Sequence, residues 1–220
     1  MLRTKNPSII TSYKGLRKWI GILGMLLPFI CMFGGCLFGH LPAQQSISHY
    51  YHTNMRDFFV GLLFGVSLFL ITYKGYEHID NVVTTLTGLA GFGIALFPCL
   101  LNQEASCQIV GLFQVKASTS DTIHMICALA FFFLLAMNSI FLFTLTDPNK
   151  VMTKNKKNRN RIYRLCGIVI LASLASLAVL HFVLDPVIME QDKIMLWFEM
   201  IMLLAFGFSW LTKGEAIFGD

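Results

Sequence analysis

Charge is what this sequence has least of. Only 13% of its 220 residues are Asp, Glu, Lys or Arg, and 55% are hydrophobic. Soluble domains carry roughly 25% charged residues, so a water-soluble fold is excluded. No CxxC pair occurs among the six cysteines, which removes the redox and metal motifs built on that spacing. There is no phosphate-cradling glycine loop, nucleophile elbow or nucleotide motif, and so no basis for nucleotide chemistry. Internal repeats, low-complexity tracts and a soluble domain are missing as well.

What is present is apolar sequence in long blocks. About 20 such residues cross a bilayer as a helix, and hydropathy places six spans near 18–40, 57–74, 80–101, 122–146, 162–184 and 193–212. The expected fold is all-α, a single polytopic transmembrane bundle over 1–220. The first apolar run, 19–38, exceeds the 7–15 residues of a signal-peptide core and reads as a retained span. Thr84, Thr85 and Thr87 open the third span, and Gly88, Ala90, Gly91, Gly93 and Ala95 leave its middle nearly bare, which suits close helix packing.

The formal charge of +5 does not point to nucleic acid, because its position is informative. Arg3, Lys5, Lys14, Arg17 and Lys18 precede the first span. Lys150, Lys154, Lys156, Lys157, Arg159 and Arg161 sit between the fourth and fifth. Cations beside spans set orientation and touch anionic headgroups. With six spans both clusters share one side with Lys74 and Lys213. The expectation is an inner-membrane protein with both termini cytoplasmic, whose partners are membrane lipids.

Segment 46–57 then stands out, with Ser46, Ser48, His49, Tyr50, Tyr51, His52, Arg56 and Asp57 packed between two apolar runs. The same topology puts His40, His49, His52, His124 and His181 on one face and only His78 on the other. Asp121 lies three residues before His124, and Asp185 four after His181, so each pair can meet along a helix. Glu199 sits among Trp197, Phe198, Met200 and Met202. A charge at a helix centre costs roughly 3 kcal/mol on insertion scales, which makes an intramembrane acid a functional candidate.

Bland readings stand beside these. Asp121 suits a helix N-cap after Ser118, Thr119 and Ser120, and Asp185 before Pro186 suits a helix stop. Arg56 and Asp57 suit a local ion pair, and Tyr50, Tyr51 and Trp197 suit an interfacial belt. Cys99 and Cys107 flank one loop at disulfide-compatible spacing. On the opposite side Tyr73, Lys74, Gly75, Tyr76, Glu77, His78 and Asp80 read as a tight charged turn, in which Lys74, Glu77 and Asp80 pair with each other or with Lys213 and Glu215.

Ser48 four residues before His52, followed by an aspartate, resembles the Ser, His and Asp pattern of the alkaline ceramidase and progestin-receptor-like superfamily of seven-helix membrane zinc hydrolases. The resemblance covers about a dozen residues. It implies Zn²⁺ held by histidines, here His49, His52, His124 and His181, with Ser48, Asp57 and Glu199 as catalytic or supporting groups. The family's late His-x-x-x-His pair and seventh helix are missing. More broadly, Tyr51, His52, Thr53, Arg56, Asp57 and Gly61, with Tyr73 to Tyr76, are similar to a family of bacterial inner-membrane proteins without an assigned activity. Three functions follow as expectations: a zinc-dependent lipid hydrolase, a proton-coupled transporter using Glu199, and a non-catalytic sensor or complex subunit. The transporter needs polar residues across the bilayer, and Ser67, Thr84, Thr85, Thr87, Asn138, Ser139 and Ser209 are the ones on offer.

Overall fold

The computed structural model describes residues 7–75, 78–101, 106–146 and 151–217, with side chains from Lys14 onward. Arg3, Lys5, Tyr76, Glu77 and Lys150, named above, lie outside the described residues. Seven α-helices follow one another: α1 (Pro7–Gly39), α2 (Arg56–Thr72), α3 (His78–Leu96), α4 (Ala117–Met137), α5 (Lys154–Val183), α6 (Pro186–Gln191) and α7 (Ile194–Lys213). A 3-10 turn, Ser48–His52, precedes α2, and a π-helical turn, Asn138–Leu142, extends α4. The departure from all-α is a two-residue antiparallel ladder, β1 (Ile109–Val110) with β2 (Val115–Lys116).

Five of these helices are long and apolar enough to cross a membrane: α1 from Lys14, α3, α4 with its π turn, α5 and α7. Helix α2, with 17 residues, carries no charge after Asp57 and packs between α1 and α3. Without water in hydrocarbon, each backbone amide must be satisfied within the segment, which is why such runs are helical. Helices α1, α4 and α5 each start at least five residues earlier than hydropathy indicates. α5 begins at Lys154 because Thr153 caps it, its hydroxyl accepting from the Lys156 amide at 3.1 Å. Lys and Arg are good helix formers, so the polar turns continue the helix that hydropathy cannot see. α4 begins at Ala117 with no side-chain cap, so the expected Asp121 cap is wrong; that carboxylate is used elsewhere.

The six long helices form a closed ring in the order α1, α2, α3, α4, α5, α7, each antiparallel to its neighbours. The contacts fix the directions: Lys18 meets Gly214, Gly21 meets Gly207, Ser67 meets Gly88, and Arg159 meets Glu215. One end of the ring therefore gathers 40–56, 97–101, 106–121 and 184–196. The other gathers 14–18, 73–75, 78–80, 143–146, 151–163 and 210–215. At that second, basic end Trp210 is fully buried, edge-on to Tyr73 and Phe143 at 5.1 and 5.0 Å. Arg17 sits over Tyr73 and Lys213 over Phe143, so aromatic faces cushion the buried cations. Of the expected turn contacts, Glu215 pairs instead with Lys14 and Arg159.

Small residues set the ring's spacing. A Cβ on Gly21 would stand 2.7 Å from the Gly207 carbonyl, and one on Gly207 2.6 Å from the Gly21 carbonyl. In lipid such close backbone approach, rather than hydrophobic exclusion, holds helices together. The bare third span behaves as expected, with a Cβ at Gly88 meeting the Ser67 carbonyl at 2.6 Å. Gly207→Val should force α1 from α7, and overpacking of this kind costs about 1–3 kcal/mol. Thermal unfolding of the detergent-solubilised protein checks this, with Gly15→Val, where nothing lies within 4 Å, as the control that should leave the midpoint in place.

Candidate functional site

The polar segment does not hang outside the bundle as a hairpin. It folds back over the mouth of the ring and plugs it. Pro42 and the left-handed conformation of His40 (φ 51°) turn the chain after α1. Gln45 then ties to α7, its carbonyl accepting from the Leu196 amide at 3.1 Å. The Ile47 amide donates to Glu199 Oε2 at 2.6 Å. Ser48 Oγ lies 3.0 Å from His124 Nε2, and His124 Nδ1 lies 2.8 Å from the Phe97 carbonyl. A carbonyl only accepts, so Nδ1 carries the proton and the Ser48 hydroxyl donates to Nε2. One turn of plug is thus fastened to α7 through Glu199 and to α4 through His124.

Neighbouring bonds complete the closure. Ser46 Oγ accepts from the His49 amide at 3.2 Å and meets His49 Nδ1 at 2.6 Å. His52 Nε2 lies 2.8 Å from the Cys99 carbonyl. Asp121 accepts from the Leu100 amide at 2.8 Å, and Ser120 donates to the Pro98 carbonyl at 2.8 Å. The stretch after α3 carries backbone groups that no helix satisfies. Asp121 is therefore spent on that loop rather than on capping α4. Tyr50 and Tyr51 are buried in the plug and form no belt; Trp197 is exposed at 51%. Arg56 donates to the Tyr51 hydroxyl at 2.8 Å and stacks on its ring, leaving Asp57 exposed in the first turn of α2. The expected Arg56–Asp57 pair is displaced by that contact. Asp185 does cap α6, accepting from Val187 at 2.8 Å.

The zinc set does not fit. Both His124 ring nitrogens are engaged by the protein, His49 and His52 each commit one to the chain, and His181 lies exposed on α5 against Phe182. Among the described residues no three His, Cys, Asp or Glu side chains gather to hold a metal. Burial pushes the nearby Cys99 thiol up to about 12, so it is no thiolate at neutral pH. All six cysteines are free, Cys99 buried and Cys107 exposed, which leaves the two unlinked.

Beneath the plug, on the ring axis, lies a cavity of about 30 Å³ touched by Ile47, Ser48, Phe59, Phe131, Glu199 and Leu203. A water needs roughly 10–15 Å³ of such space, and a drug-sized ligand needs hundreds. Ser48 and His124 have the hydrogen-bond geometry of a nucleophile and its base, but Ser48 is only 8% exposed and faces a space that admits no acyl chain. Further down the axis Ser67, Thr84, Thr87, Asn138, Ser139 and Ser209 are all at most 1% exposed. Asn138 donates to Thr87 Oγ1 at 3.3 Å, and Ser139 meets Ser209 at 2.8 Å. Ser67 Oγ and Asn138 Oδ1 have no hydrogen-bond partner among the described residues. The polar residues that a transporter would need are thus buried, save Thr85, which is only half-buried. The sequence named them; the structure adds that Asn138 meets Thr87 and Ser139 meets Ser209 across helices.

No family model, curated protein or solved structure matches this chain, so function is argued from the residues alone.

His49 supplies a pH test. Burial first, then the neighbouring His52 and His124 charges, hold its value below the ordinary 6.5. The folded state therefore favours the neutral ring. Its contribution is complete above about pH 6.5 and is lost as pH falls below that. Limited proteolysis at 46–57 should accelerate from about pH 7.5 to about pH 5.5, and His49→Gln should flatten the dependence. An unchanged dependence would assign it to another group.

Proposed function

We propose that this is a six-span inner-membrane protein with both termini cytoplasmic, and that it is a proton-coupled carrier whose axial path is shut at the outer face by the plug. Six spans follow if α2 crosses with the other five, as its place in the antiparallel ring supports. The orientation follows from the cation excess at the basic end.

The observation that carries the reading is Glu199 at the cavity, in a bundle that also buries polar side chains. Glu199 borders the cavity under the plug, and six hydroxyl and amide side chains are buried in the same bundle, Asn138 bonded to Thr87 and Ser139 to Ser209 across helices. Polar and ionisable groups facing the interior of a membrane bundle mark ion and proton routes. Glu199 is the proton acceptor in this scheme. Its bond from the Ile47 amide is charge-assisted while the carboxylate is ionised, and about half as strong once it is neutral. Protonation at Glu199 therefore loosens the plug at the point where it is pinned to α7, coupling proton entry to opening. Ser48 and His124 hold the other edge of the plug and relay no bond to a metal.

A second reading, a non-catalytic sensor or complex subunit, is favoured by the small cavity and by Leu63, Ile94 and Leu203 around it, which form an apolar collar across the path. Proteoliposomes carrying an imposed pH gradient and an internal pH dye separate the two. The carrier reading predicts proton uptake above that of empty liposomes, reduced at least about tenfold in Glu199→Gln, the loss expected when the group that moves the proton is removed. Ser48→Ala, by freeing one edge of the plug, should raise the leak. Uptake that survives Glu199→Gln overturns the carrier scheme. Wild-type liposomes no more permeable than empty ones, with Ser48→Ala merely less stable, establish the second reading.

A further inference from the structure

Helix α5 is at odds with its own dipole. A helix N-terminus bears partial positive charge and favours acids in its first turn. α5 has none there. It opens instead with Lys154, Lys156, Lys157, Arg159, Arg161 and Arg164, and no Asp or Glu occurs anywhere in Lys154–Val183. The imbalance extends beyond this helix. Among the described residues, every Lys and Arg except Arg56, Lys116 and Lys193 belongs to the basic end, and Asp80 and Glu215 are the acids there. Eleven described cations therefore share that end with two described acids.

The burial pattern sorts the α5 cations into two faces. Arg159 is 6% exposed and turns inward to Glu215. Lys157, Arg161 and Arg164 are exposed and fall at i, i+4 and i+7, on one face. The same face continues down the helix as Ile168, Ala172, Ala175 and Val179, all exposed, with Leu165 beside it at 63%. A single exposed stripe thus begins with three cations and passes into apolar side chains along the lipid-facing side of a span. That order matches a phospholipid, with a phosphate at the level of the guanidinium groups and an acyl chain along the helix below. Arg forks suit the paired oxygens of a phosphate, and Lys supplies a point charge. The positive helix end and the buried Arg159 behind the stripe add to the field an anion meets.

We infer that Lys157, Arg161 and Arg164 form a binding site for the phosphate of an anionic phospholipid, with Leu165 and Ile168 receiving the start of its acyl chain. The inference holds for either insertion of the bundle and does not depend on proton transport. It assigns the protein a lipid-selective face rather than a uniform coat of lipid.

The test is native mass spectrometry of the full-length protein in non-ionic detergent, titrated separately with dioleoyl phosphatidylglycerol, dioleoyl phosphatidylcholine and inorganic phosphate. Wild type should bind phosphatidylglycerol in preference to phosphatidylcholine. Affinity should fall about fivefold for each cation replaced in Lys157→Gln, Arg161→Gln and Arg164→Gln, following the contribution of one cation near an anionic surface. The three side chains are exposed, so an unchanged thermal midpoint will show that the triple variant is folded. Lys116→Gln, at the other end of the ring, should bind as wild type does. Equal binding of both lipids, or a folded triple variant that keeps its phosphatidylglycerol, overturns the site. Saturable binding of inorganic phosphate that displaces the lipid confirms phosphate recognition but overturns the acyl-chain part of the assignment.

Discussion

The hydrogen bond from the Ile47 amide to the Glu199 carboxylate, at 2.6 Å, is the contact on which the plugged end of this protein depends. An amide in a non-helical turn and a carboxylate on a membrane helix are each costly to bury alone. Together they offset one another, and in doing so they pin the plug over the mouth of the ring. The Ser48–His124 bond holds the opposite edge. Remove the first and the Ile47 amide loses its acceptor; remove the second and the Ser48 hydroxyl and the His124 ring lose each other.

The two ends of the ring solve the burial of charge differently. At the plug end, carboxylates and imidazoles are consumed by backbone groups of irregular segments: Glu199 by Ile47, Asp121 by Leu100, His124 by Phe97, His52 by Cys99. At the basic end, cations rest on aromatic faces around Trp210, with Arg17 on Tyr73 and Lys213 on Phe143. Between them the interior buries apolar side chains together with hydroxyls and the Asn138 amide. Tight glycine contacts such as Gly21 with Gly207 set how closely the helices approach.

Much of this was legible in the sequence. Apolar block length located the long helices, cation placement told one end of the ring from the other, and Glu199 announced itself as an acid among Trp197, Phe198 and Met200. Pairing was not legible. His49, His52, His124 and His181 shared a membrane face, and that face is real, but sharing a face is a weaker condition than converging on a point. His181 points to the lipid side of α5 while His124 points inward, a difference of helix rotation that spacing alone cannot reveal. Asp121 looked like a cap because its neighbours are capping residues; the competing demand came from Leu100, 21 residues away. Asn138 reads as an isolated polar residue until the fold sets it against Thr87, 51 residues away.

The proposed opening of the plug depends on Glu199 taking a proton and so loosening its hold on Ile47. Infrared difference spectroscopy of the reconstituted protein across a pH titration observes that carboxyl group directly. The account predicts a protonated-carboxyl band that grows as pH falls, is missing in Glu199→Gln, and is accompanied by an amide shift from the released plug. A spectrum in which no carboxyl band titrates, or in which the titrating band persists in Glu199→Gln, would contradict it.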